Sequence, residues 1–418
     1  MRVLFTVFPA TAHIYPIVPL AWALQNAGHD VRVAIHPDAV DLVTDAGLTA
    51  IPLGDREILS SVVEFNSNLD LLDGLDDSFA LDTGQGTPQR WEVQWHGMTQ
   101  VLAMFTPLLQ DLVSLTERWQ PDLVLWDPFC PAAAVAARIS GAAQARILWG
   151  QDNIAWLRAK SKQQLADRGA TPGQDPITGL MRPMLSRYGL DYDDELLLGQ
   201  WTIDPMPPGM RLPLDLPYQS MRRVPYNGAA VVPDWLLDPV EHPRVCLTLG
   251  VGGRGRQLFR DSGVSFPEVV DALATLDIEL VATIDAKQRE RVTTVPDNVR
   301  LVDYVPLSQL LPTCSAIIHH GGGGTFAAAV AHQVPQLITP MPFWGEHVTA
   351  QYVADRGAGL LIPNTELTAE KLRDQLSRLL TEPAFTEGTA ALYREMREAP
   401  GPAELVPVLE DLTAKHRS

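Results

Sequence analysis

Two groups of residues in this sequence have the types and spacing to do chemistry. The first is Ile317-Ile318-His319-His320-Gly321-Gly322-Gly323-Gly324-Thr325. An apolar strand ends in histidine, and four glycines then open an alanine-rich helix. Glycine lets backbone approach a ligand closely, and a helix N-terminus presents unpaired N–H groups at the positive end of its dipole. His320 adds a directed donor. The chemistry on offer is anion binding, specifically a seat for the diphosphate of a nucleotide. A strand-to-helix turn can also need glycines for packing alone, so the flanking pattern has to carry the distinction.

The second group is His13 with Asp127. The strand expected over Val3–Phe8 runs into Pro9-Ala10-Thr11-Ala12-His13-Ile14-Tyr15-Pro16. In open α/β sheets ligands sit beyond the carboxyl ends of strands, which is where His13 falls. Histidine titrates near neutrality and can take a proton from an attacking hydroxyl. Asp127 follows the apolar run Leu123-Val124-Leu125-Trp126. A carboxylate there could hold the histidine tautomer and stabilise the imidazolium. Taken alone, His13 could equally be a structural helix-start histidine, and Asp127 a helix cap ahead of Pro131.

Positioning these residues requires parallel sheets. Strand–helix–strand–helix alternation over the first 50 residues returns at Leu123–Ile139, and again from Val245 through strands near 280–284, 299–302, 316–319 and 336–339. Residues of about 55–105 are acidic, irregular and tryptophan-containing, and are expected to form loops and helices. Prolines crowd 171–240, a density expected to exclude regular helices and to suit an inter-domain connection. A length of 418 residues allows two large domains, and 46% hydrophobic with 20% charged residues fits a globular chain. No apolar run reaches the ~20 residues of a membrane span, and Met1 enters a strand directly, so a cytoplasmic protein is expected. With 32 Lys and Arg against 50 Asp and Glu, the net charge is −18. Such a charge disfavours nucleic acid and anionic membranes as partners. Cys130, Cys246 and Cys314 stand apart with no C-x-x-C pair, so buried small hydrophobes are expected, not a metal or disulfide framework.

The flanking pattern is Asp303-Tyr304-Val305-Pro306 upstream of the glycines, then Pro340-Met341-Pro342-Phe343-Trp344-Gly345-Glu346-His347 downstream. Aromatic-x-Pro, His-Gly-Gly-x-Gly-Thr and an acidic loop, in that order, resemble the donor-binding half of GT-B, family 1 natural-product glycosyltransferases. Gly199-Gln200-Trp201-Thr202-Ile203-Asp204-Pro205, Tyr226-Asn227-Gly228 and Val232-Pro233-Asp234-Trp235-Leu236 resemble the actinobacterial macrolide desosaminyltransferase and anthracycline types, which use TDP-deoxysugars.

The resemblance implies a GT-B fold, two Rossmann-like α/β domains facing across a cleft. It divides the chain into an acceptor domain (1–215), a linker (216–240), a donor domain (241–400) and a C-terminal helix (401–418) that packs back on the first domain. It implies His13 as general base with Asp127 as its partner. Tyr304 would stack the nucleotide base and the Val305 backbone would bond its edge. His320, Gly321, Gly322, Gly324 and Thr325 would hold the diphosphate, and Glu346 and His347 would meet sugar hydroxyls. Glu346-His347 departs from the family's usual Asp-Gln, a hint of an unusual sugar, while His319 is expected to be structural. Trp91, Trp95, Phe105, Trp149 and Trp156 would wall a hydrophobic aglycone or serve as core. No metal and no resident cofactor are implied, since the TDP-sugar is a co-substrate. The family leaves room for a P450-like activator protein and a homodimer.

Three rivals remain at this point. An NAD enzyme would want its acidic residue at the end of the next strand, and Glu346 lies beyond Pro340-Met341-Pro342. A GT-B epimerase has no use for an acceptor wall, and a non-catalytic sugar-nucleotide binder has no need of His13. Asp191-Tyr192-Asp193 spells the D-x-D metal motif of another glycosyltransferase fold, but its acidic surroundings suit a solvated helix start.

Overall fold

The computed structural model describes residues 1–54, 88–250, 263–284, 289, 292, 294–340 and 345–417. The chain divides into two compact units: Met1–Arg223 with Ala399–Ser418, and Val224–Glu398.

In the first unit the strands are β1 (Arg2–Thr6), β2 (Asp30–Ile35), β3 (Thr49–Pro52), β4 (Leu123–Trp126), β5 (Ala143–Ile147), β6 (Trp201–Asp204) and β7 (Tyr218–Ser220). They form a sheet in the order β3-β2-β1-β4-β5-β6-β7, every pairing parallel. Every residue of β4, β5 and β6 is buried, as expected of strands covered by crossover helices on both faces. β5 is the instructive case, because Ala-Gln-Ala-Arg-Ile does not read as a core strand. Gln144 accepts the Trp126 indole N–H at 2.6 Å. The Arg146 guanidinium is fully buried and forks onto Asp152 at 2.8 and 2.6 Å. Each polar group finds a partner inside, which removes most of the penalty of burying it.

The second unit has β8 (Arg244–Thr248), β9 (Glu279–Thr283), β10 (Val299–Val302), β11 (Cys314–His319), β12 (Gln336–Ile338) and β13 (Gly359–Leu361), parallel throughout in the order β10-β9-β8-β11-β12-β13. The helix Gly323–Ala331 follows β11, and its Phe326, Ala327, Ala328, Ala329 and Val330 are at most 1% exposed. Small side chains let this helix lie close over the strands.

Several expectations need correction. Residues 216–223 belong to the first unit, because β7 completes its sheet. Residues from Val224 belong to the second, where Leu236 packs with Cys246, Val281 and Ile317. Prolines did not exclude a regular helix: Pro176–Ser186 is one, with Asp175 capping the Ile177 N–H and Pro176 in the first turn, where no N–H bond is needed. Residues 88–103 form a helix, in keeping with the loops and helices expected of that stretch, and 55–87 lie outside the described residues. The C-terminal helix Pro402–His416 contacts the helix Val18–Asn26 and β5, and His29 bridges the Met1 amine (2.9 Å) to Glu410 (3.0 Å). Among the described residues no helix is long and apolar enough to cross a membrane.

Candidate active site

β1 and β4 are neighbours with Thr6 opposite Trp126, so the chain leaves both strands side by side at their carboxyl ends. After β1 it passes Phe8 and enters the short helix Thr11–Ile14, which carries His13. After β4 comes Asp127, whose N–H donates to the Thr6 carbonyl at 2.9 Å. These two exits bring residues 114 apart in sequence into contact: His13 Nδ1 lies 2.6 Å from Asp127 Oδ2. The other carboxylate oxygen accepts the Phe129 N–H at 2.9 Å. An ionised carboxylate only accepts, so the bond places a proton on Nδ1, and in a neutral imidazole so oriented the lone pair falls on Nε2. The pair is buried, 4% and 1% exposed, and a charge-assisted bond gains strength away from water. Asp127 does not cap the next helix; Cys130 occupies that position.

Aromatic rings enclose the His13 imidazole. Trp149, Phe8 and Phe129 lie 4.4, 4.8 and 5.6 Å away between ring centroids. The segment bearing Trp149 is fastened at both ends. Arg146 before it grips Asp152 after it, the Tyr218 hydroxyl donates to Asp152 at 2.8 Å, and Arg223 donates to the Trp149 carbonyl at 2.8 Å. Phe8 and Phe129 were not anticipated; an aromatic two residues beyond Asp127 and another five before His13 were the available signal. Burial, reinforced by the Asp127 charge, pushes the Cys130 thiol well up, so it stays protonated.

The five aromatics expected to wall an acceptor or serve as core fall in different settings. Trp149 touches His13, and Phe105 packs on Phe8, another ring at His13, at 5.4 Å between centroids. Trp95 and Phe105 are core residues, each 2% exposed, which removes them from a wall open to ligand. Trp91 and Trp156 line a separate pocket of about 420 Å³, whose lining includes neither His13 nor Trp149. There the Lys160 ammonium sits over both indoles, 4.6 and 4.1 Å from the ring centroids.

In the second unit the glycine run sits where β11 becomes a helix. His319 is fully buried; its Nε2 meets Gln336 Oε1 at 3.0 Å and its Nδ1 accepts the Gly321 N–H at 3.1 Å. Burial, then neighbouring His320, pushes its pKa down to about 3, so it is a neutral structural residue. His320 is 8% exposed, with Nε2 3.8 Å from Glu346 Oε1. Gly322 is the N-cap of the helix Gly323–Ala331 and lies against the His320 imidazole, so the helix that carries Gly324 and the buried Thr325 opens beside that ring. This is a concentration of donors suited to an anion. Glu346 is buried and His347 exposed at the start of the helix Glu346–Asp355; residues 341–344 before it lie outside the described residues. Tyr304 is 44% exposed and its hydroxyl donates to the Asn227 carbonyl, while Asn227 Oδ1 accepts the Ser308 N–H at 2.9 Å. Val305 is in the core, 2% exposed.

Asp191-Tyr192-Asp193 is part of an ion-pair cluster: Asp193 pairs with Arg138 at 2.5 Å, and neighbouring Asp194 with Arg158 and Lys162. Among the described residues no group of three or more His, Cys, Asp or Glu is arranged to hold a metal.

Comparison with known proteins bears on both clusters. Residues 22–250 match the family model described as the erythromycin biosynthesis protein CIII-like N-terminal domain, and residues 267–412 match its C-terminal domain. The chain is 42% identical over 431 residues to an aclacinomycin-T 2-deoxy-L-fucose transferase of Streptomyces galilaeus, covering 100% of this chain and 97% of that protein. It is 44% identical over 429 residues to a 10-deoxymethynolide desosaminyltransferase of Streptomyces venezuelae, covering 100% and 98%. Its structure superimposes on that of the glycosyltransferase VinC in complex with dTDP with a TM-score of 0.88, at 38% identity, over 99% of this chain and 100% of that one. Two parallel-sheet units and full-length likeness to named sugar transferases agree: the chain is a GT-B glycosyltransferase and belongs to the erythromycin biosynthesis protein CIII-like family.

Proposed function

We propose that this enzyme transfers a deoxysugar from a TDP-sugar to a hydroxyl of a polyketide-type antibiotic aglycone, with inversion. The observation that carries the mechanism is the buried 2.6 Å contact between His13 and Asp127. With Nδ1 committed to the carboxylate, Nε2 takes the acceptor's hydroxyl proton as the oxygen attacks the anomeric carbon. The new C–O bond forms as the bond to the diphosphate breaks, and TDP leaves with the electron pair. Asp127 stabilises the imidazolium that results. His320 and the N–H groups at the start of Gly323–Ala331 neutralise charge growing on the diphosphate, in the manner of a preorganised anion hole. Tyr304 stacks the base, the Val305 backbone meets its edge, and Glu346 and His347 contact the sugar. The reading is supported by the relatives' named activities, deoxysugar transfer to anthracycline and macrolide compounds, and by the dTDP complex of a structural relative. Nothing favours an epimerase or a non-catalytic binder.

The test is calorimetric titration with TDP in the presence of EDTA. Parent protein should bind saturably, and His320→Ala should bind about 10–100-fold more weakly, the usual cost of one charge-assisted hydrogen bond. Tight binding by the variant would refute the diphosphate seat, and a strict metal requirement for turnover would refute the N–H and imidazole mechanism. A P450-type activator belongs to the same proposal. Full turnover by the purified chain alone would exclude an obligatory one, and light scattering tests the homodimer.

A further inference from the structure

β8 and β11 are adjacent, with Thr248 opposite His319, so Gly250 and His320 emerge side by side from the sheet. A β-carbon placed on Gly250 would lie 2.9 Å from His320 Cε1. One placed on Gly322 would lie 2.7 Å from His320 Nε2 and 3.2 Å from Cε1. Ordinary carbon contacts begin near 3.5 Å. The imidazole therefore occupies the space that two side chains would need. Neither wall is loose. The Gly250 N–H is tied to Thr248 Oγ1 at 3.2 Å, which itself receives the Thr283 hydroxyl at 2.8 Å. On the other side His319, preceding the ring, is held by Gln336 and the Gly321 N–H.

We propose that Gly250 and Gly322 are positioning residues that form a slot for the His320 imidazole, fixing the direction in which it presents Nε2 to the diphosphate. The proposal rests on the diphosphate-seat reading. Backbone conformation alone would explain glycine at 250, where φ is +74°. It does not explain glycine at 322, where φ is −59° and any residue fits. What the two share is the ring between them.

A double-mutant cycle separates the slot from backbone strain. Gly250→Ala in the parent should raise the calorimetric Kd for TDP about tenfold, as expected when a buried donor is misaligned. In the His320→Ala background the same substitution should change Kd less than about twofold, because the clash has gone while the φ strain remains. Strain alone should lower Tm equally in both backgrounds. Gly322→Ala should raise Kd in the parent by at least as much and by less in the His320→Ala background, and serves if Gly250→Ala folds poorly. The Cε1–Hε1 NMR cross-peak of His320, identified by its loss in His320→Ala, should shift in both glycine variants. Equal loss of TDP affinity in both backgrounds, or an unmoved cross-peak, would overturn the slot. Unchanged TDP binding by His320→Ala, with the cross-peak still responding to Gly250→Ala, would leave a ring slot but remove the diphosphate seat, and the positioning role with it.

Discussion

Replacing Asp127 by asparagine isolates what the carboxylate does for His13. The amide keeps the shape but exchanges one acceptor oxygen for an NH2 donor. In the native protein one oxygen accepts the Phe129 N–H at 2.9 Å and the other meets His13 Nδ1 at 2.6 Å. If the amide oxygen stays with Phe129, its NH2 faces Nδ1, which must then accept. The proton moves to Nε2, and the base has lost its lone pair. If the amide turns over, the tautomer survives but the NH2 confronts the Phe129 N–H in a buried site. An unmade buried N–H costs about 1–3 kcal/mol, whereas the first arrangement matches every donor, so it should prevail. The wrong tautomer should then lower kcat by about 10²–10⁴-fold, roughly 2.7–5.4 kcal/mol at ~1.36 kcal/mol per decade. The proposed diphosphate seat is built from second-unit residues, so the Kd for TDP should stay within about twofold. Initial rates followed by liquid chromatography and mass spectrometry with a TDP-deoxysugar and aglycone, alongside calorimetry, measure both. A variant that folds, binds TDP and turns over within about threefold of the parent would refute the tautomer argument.

Two further outcomes follow from buried polar groups. Asp152→Ala leaves the Arg146 guanidinium, 0% exposed, without its forked carboxylate. Breaking such a pair costs about 3–5 kcal/mol, which for a unit of this size lowers Tm by about 6–20 °C in a thermal melt. A shift of under about 2 °C would mean that water or another residue replaces the carboxylate. His319 has its folded pKa depressed to about 3 by burial, and protonation would set Nδ1–H against the Gly321 N–H it now accepts. From pH 6.5 down to about 3 the unfolded chain therefore holds a proton that the folded chain lacks. Stability falls with pH across that window by up to about 1.4 kcal/mol per unit. Urea unfolding at pH 6.5, 5.5 and 4.5 should show a shallower acid loss for His319→Gln, and parallel curves would refute the assignment.

How far the sequence could be read depends on how local the information was. The strand–glycine–helix segment at 317–331 was legible because its signal is contiguous: apolar strand, histidines, glycines, small helix residues. β5 was not, because its glutamine and arginine look solvent-facing until Trp126 and Asp152 arrive as partners from elsewhere. β7 was hidden in a proline-rich stretch whose three-residue strand has no periodicity of its own and exists because β6 offers it an edge. The aromatics were legible as a set but not by place. Trp149 lies on His13, Trp95 and Phe105 are in the core, and Trp91 and Trp156 are at another pocket.

By itself the sequence determined the alternating α/β character and the glycine-opened helix, and its resemblance to the family singled out His13 and Asp127 as the proposed base and partner. Those properties reside in residue type and near neighbours. Tertiary structure alone decided that His13 and Asp127 meet, since a separation of 114 residues closes only when β1 and β4 pair in register. It also decided that Gly250 shares space with His320, because the pairing of β8 with β11 sets two remote chain segments side by side. Contacts of this kind depend on which strands become neighbours, and strand order is fixed by packing of whole helices and sheets, which no short stretch of sequence contains.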